Sequence, residues 1–94
     1  VSHAALIQVD NSSEDPDEGR RGLRDELLPF LRTLQGFEEA VLLTAYERGR
    51  GVALIVFDTE EGAATLTSTL APGQTLRPGV TVTQVETFEV TARS

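Results

Sequence analysis

The sequence predicts one α+β domain with the element order β-α-β-β-α-β. Three observations carry this: four segments with apolar residues at period two, two segments with helical apolar spacing after the first and third of them, and a glycine hairpin joining the second strand to the third. At 94 residues the chain is long enough for one domain spanning 1–94 and not for two.

Ala4 to Val9 places Ala5, Ile7 and Val9 on one face and reads as the first strand. Asp10 to Gly19 collects Asn, Ser, Asp, Glu, Pro and Gly, the composition of a loop. Arg20 to Gln35 reads as the first helix, because Leu23, Leu27, Leu31 and Leu34 recur at spacings of four and three. Pro29 lies inside that segment and should kink it. Gly36 is suited to end it, with Phe37 folding back as the apolar contact.

Glu39 to Glu47 is the second predicted strand, with Val41, Leu43 and Ala45 on one face and Leu42, Thr44 and Tyr46 on the other. Arg48-Gly49-Arg50-Gly51 supplies a tight turn. Val52 to Phe57 is apolar on both faces, the pattern of a central strand covered on both sides. Asp58 then caps a helix running to about Leu70, with Glu61 completing a capping box. Ala71 to Gly79 reads as a loop, and Val80 to Ala92 as a last strand long enough to extend beyond its own sheet.

Composition narrows the function classes. The net charge is −7 and all eight cationic residues are Arg, a balance that repels nucleic-acid backbones and anionic membranes. There is no Cys, so thiolate metal sites, disulfides and a Cys nucleophile are excluded. No apolar run approaches a membrane span and no secretion signal is evident, so a cytoplasmic protein without metal or cofactor is expected.

Two β-α-β halves joined by a hairpin imply the ferredoxin-like fold: a four-stranded antiparallel sheet with two helices on one face. The other face would carry one side of an apolar third strand. A second copy packed sheet to sheet is the simplest cover, so a homodimer is expected, with the long last strand reaching across.

Several segments resemble one known family. Leu34-Gln35-Gly36-Phe37 with Ala40 to Thr44, Gly49 to Leu54, Phe57-Asp58-Thr59-Glu60-Glu61 and Val85 to Val90 are similar to the antibiotic-biosynthesis-monooxygenase-like (ABM-like) dimeric α/β-barrel family. The resemblance implies a homodimer with a small cavity between sheet and helices. It also implies a cofactor-independent, monooxygenase-like activity on a small aromatic or polyketide-like molecule. Its haem-degrading branch uses Trp and a placed His; this chain has no Trp, and its one His is His3. The alternative is a non-catalytic homodimer that binds a small ligand or is purely structural.

The residue-level candidates follow from polar groups on apolar strands. Gln8, Thr44, Gln84 and Glu86, sharing a face with Leu6, Ile55, Phe57 and Phe88, would give a mostly apolar pocket with a few polar groups. Equally, they mark solvent-facing positions on edge strands. Tyr46 offers a hydroxyl to a substrate oxygen, although packing at a strand end with the hydroxyl in water accounts for it better. His3 is the one group titrating near neutrality, and its position favours an exposed chain-end imidazole over a general base. Arg48 and Arg50 read as a solvated hairpin tip, and the acidic loop as a solvated segment without EF-hand spacing.

Overall fold

The computed structural model describes residues 1–94. Strand β1 (His3–Asp10) is followed by a continuous helical rod made of α1 (Pro16–Gly22), a π turn (Leu23–Leu27) and α2 (Leu28–Leu31). Strand β2 (Phe37–Ala45), a 3-10 turn (Tyr46–Arg48), β3 (Arg50–Phe57), α3 (Glu60–Thr67), β4 (Thr75–Arg77) and β5 (Val80–Glu89) complete the chain. The sheet order is β2-β3-β1-β5-β4, and every pairing is antiparallel.

The α+β architecture and the ferredoxin-like strand order are thus present, but the sheet has five strands rather than four. The extra strand, β4, lies in the segment expected to be a loop. Its pairing of Arg77 with Val80 closes a short hairpin on the edge of β5.

Both helices start differently from expectation. Asp15 accepts a hydrogen bond from the Glu18 N–H at 3.1 Å, and Pro16 occupies the first helical position, where its missing N–H costs nothing. The rod therefore begins four residues before Arg20. At the second helix, Thr59 rather than Asp58 is the cap: its hydroxyl accepts from the Gly62 N–H at 3.1 Å. Asp58 precedes the cap by one residue: its N–H donates to the Gly36 carbonyl at 2.9 Å and its carboxylate lies against Gly36, in the turn that meets the end of the rod.

Pro29 is accommodated upstream. The Leu28 N–H bonds to the Leu23 carbonyl, five residues back, which widens the turn just before the proline. The rod ends at Leu31, and the Thr33 and Leu34 N–H groups bond three residues back to Phe30 and Leu31. Gly36 closes this tightened turn instead of serving directly as the helix stop, and Phe37 opens β2.

The core lies between the helices and one face of the sheet. Ala5, Ile7, Ile55, Phe57 and Val82 from the strands meet Leu31 and Ala63 from the helices. Register accounts for this membership: Ala5 faces Ile55, Ile7 faces Ala53, and Val9 faces both Gly51 and Val82. A bulge in β5 explains Val82. Gln8 pairs with Gln84 and Val9 with Val82, so Thr83 is the extra residue. Val82 turns into the core, while Gln84 stays on the opposite face.

No helix covers that opposite face. Val41, Leu43 and Phe88 are exposed there at 41%, 57% and 45%. Its base is covered by the chain's own end. Strand β5 stops at Glu89, short of the expected Ala92, and the residues after it are tied to the start of the chain and to β2. The Val90 N–H donates to the Ser2 carbonyl at 2.9 Å, and Arg93 bonds Glu38 at 3.3 Å and also Glu39, at the start of β2.

No helix of the chain is long and apolar enough to cross a membrane.

Candidate functional site

The sequence supplies too little bulk to close the space between the rod and the sheet. The sheet beneath the rod carries Ala53 and Gly51. The result is an open cavity of about 530 Å³. Its walls are mostly apolar: Ile7 and Ile55 from the sheet, Leu23 and Leu27 from the rod, Leu66 and Leu70 from α3 and the segment after it. Such a volume lined by aliphatic side chains with few polar groups has the form of a small-molecule site.

The polar groups on its wall are concentrated where the loop before α1 meets β4. Glu14 and Arg77 form an ion pair there, with Oε2 and Nε 2.7 Å apart. Both side chains are largely withdrawn from solvent, at 13% and 29% exposure. Two glycines on consecutive turns of α1 make room for the pair. A Cβ at Gly22 would overlap the Arg77 guanidinium, and one at Gly19 would lie 2.6 Å from the Glu14 carboxylate. The ion pair therefore lies flat on the helix backbone and ties the edge hairpin to the rod.

The structure divides the candidate residues named from sequence. Gln8 and Gln84 meet on the helix-free face, where the Gln8 amide donates to Gln84 Oε1 at 3.1 Å. Phe88 pairs with Ala4 on that same face. Thr44 lies on the other face, opposite Gly51, and lines the cavity. Phe57 is also on the helix side, but it is core, 1% exposed beneath Ala63. Tyr46 belongs to the 3-10 turn, so it leaves the β2 face altogether. The Arg20 guanidinium lies 4.4 Å from its ring centroid. Only Thr44 among the six lines the large cavity.

His3 is not an exposed chain end. It is part of β1 and its side chain is 17% exposed, with Nε2 3.8 Å from the Glu60 carboxylate and a buried Nδ1 that has no hydrogen-bond partner. It does not line the cavity. The acidic loop is structural as well as solvated. Asp10 accepts from the Ser12 N–H and hydroxyl, bonds that hold its carboxyl below the usual range, while Asp15 caps α1 and Glu14 pairs with Arg77. No three His, Asp or Glu side chains converge as metal ligands.

The residues that sequence reasoning missed are Glu14, Arg77 and the Gly19–Gly22 pair. The one legible signal was the i, i+3 spacing of two glycines within a helical segment, which marks a close approach of another chain segment.

Scanned against protein-family models and against curated proteins, the chain matches none. The likeness to the ABM-like family therefore rests on the segments quoted above.

Proposed function

We propose that this chain is a homodimeric, ABM-like α/β-barrel domain that binds a small, largely apolar molecule in the cavity between its helices and its sheet. The cavity carries the reading: about 530 Å³ walled chiefly by leucine and isoleucine. A wall of this kind supplies affinity by burying apolar ligand surface, at roughly 25 cal/mol per Å². Thr44 and the Glu14–Arg77 pair provide the few polar contacts that orient a ligand.

Binding is favoured over turnover. Neither His3 nor Tyr46 reaches the cavity, so the cofactor-independent oxygenation implied by the resemblance has no imidazole or phenol there to accept a proton.

The second copy belongs on the helix-free face. Val41, Leu43 and Phe88 stand exposed beside Leu6 and Leu54, and the polar Gln8 and Gln84 among them already satisfy each other. An identical apolar sheet face has the matching chemistry, and two-fold pairing covers both at once.

The test of the cavity is titration calorimetry with 1-decanol and 1-naphthol on the intact chain and on Leu66→Trp. The indole of the variant fills the space between α3 and the rod. Binding to the parent that disappears in the folded variant supports the reading. Absence of heat with both probes at their solubility limits, or unchanged binding in Leu66→Trp, overturns it.

A further inference from the structure

We propose that Arg77 is the anion-recognition group of the cavity, so that its ligands are amphipathic organic acids: an apolar body with one carboxylate. This rests on reading the cavity as a ligand site. Arg77 is the only cationic side chain on the cavity wall. Its partner Glu14 makes its closest approach at Nε rather than at the terminal nitrogens Nη1 and Nη2. Those two nitrogens lie against Gly22, which lines the same cavity.

A guanidinium presents paired donors in a plane that matches the two oxygens of a carboxylate. Here one nitrogen, Nε, already faces the Glu14 carboxylate, so the group's plane is set before a ligand arrives. Glu14 is the more buried half of the pair and Arg77 the more accessible, so a ligand approaching through the cavity meets the cation first. The other charged group on the wall, Glu26, is exposed on the rod and makes no ion pair.

Gly22 makes the idea separable from folding. The atoms that a Cβ would displace are the far end of a flexible side chain. Gly22→Ala therefore moves the guanidinium, while alanine is the better helix former of the two.

The experiment compares decanoate with 1-decanol by calorimetry near neutral pH, on the parent chain and on Arg77→Gln, Gly22→Ala and Glu14→Gln, with thermal unfolding as the check on folding. The parent is expected to prefer decanoate. The preference falls about tenfold in Arg77→Gln, as expected for a lost hydrogen bond to a charged group, and falls in Gly22→Ala without a drop in unfolding temperature. Glu14→Gln, which removes the competing carboxylate but keeps its shape, strengthens decanoate binding. If decanol binds the parent as tightly as decanoate, or the preference survives in Arg77→Gln, the assignment to Arg77 is wrong while the cavity remains a ligand site. If neither probe binds the parent, the cavity reading and this one fall together.

Discussion

Gln8 and Gln84 face each other across β1 and β5 and share one amide hydrogen bond of 3.1 Å on an otherwise apolar sheet face. Each is only half-buried, so the bond is worth less than a core one but more than a solvated one. Gln84→Ala should destabilise the chain by about 1 kcal/mol, because it strands the Gln8 amide. Gln8→Leu with Gln84→Leu should cost less than the sum of the single changes, since both partners leave together. Urea unfolding of the double-mutant cycle measures this; additive single effects would show that the bond contributes nothing.

Leu43 is the most exposed large hydrophobic residue of the sheet. If the face pairs with its copy, Leu43→Lys places two charges into an apolar interface and the protein should sediment as a monomer at concentrations where the parent is a dimer. Its monomeric unfolding should change by less than about 0.5 kcal/mol, since the side chain is more than half exposed. A parent that is monomeric at micromolar concentration would remove the dimer.

The tail's attachment should depend on pH with a defined sign. The Ser2 hydroxyl donates to Glu38 at 2.6 Å, and this bond, with a smaller contribution from Arg93, holds the Glu38 carboxyl below its ordinary value of 4.5. A carboxyl depressed on folding stabilises fully above its unfolded value, and that contribution is lost as pH falls through the lower folded one. In an NMR titration, amide shifts of residues 90–94 should move together with a midpoint under 4.5, and Ser2→Ala should raise that midpoint. High salt should loosen the same contact, because the groups are exposed. A midpoint at or above the ordinary value would contradict the geometry.

Phe57 is the largest fully buried side chain, and Phe57→Ala should cost about 3–5 kcal/mol in denaturant unfolding. That is a large part of the roughly 5–14 kcal/mol available to a domain of this length. Phe57 also illustrates how far a sequence reading reaches. Its strand was legible, because Val52 to Phe57 is apolar throughout, and so was the order of the six principal elements. Which face each side chain takes was not. Parity along β5 puts Val82 with Gln84, Glu86 and Phe88, and the extra residue at Thr83 breaks that parity. Tyr46 was lost to its face by three residues of 3-10 turn, which Gly49 ends in the left-handed region at φ 63°.

Edge strand β4 was illegible for another reason. Three residues between prolines have no periodicity, and they pair only because the Pro78–Gly79 turn returns the chain onto β5. Arg77 therefore looked like a loop residue. The ion pair that characterises the candidate site joins two segments 63 positions apart in sequence, and the spacing of Gly19 and Gly22 signals a close approach without showing which segment makes it.

The π turn at Leu23–Leu27 holds one residue more than an α-helical turn would need. An α-helix advances by about 100° per residue, so that residue sets the rotation of everything before it relative to everything after. On the downstream side Leu31 points into the core; on the upstream side Gly19 and Gly22 point at Glu14 and Arg77. Removing a single residue from the turn would let the rod become regular and swing the two glycines about a quarter-turn away, while Leu31 stayed seated. The widened turn acts as a phase coupler between the hydrophobic core and the charged wall of the cavity.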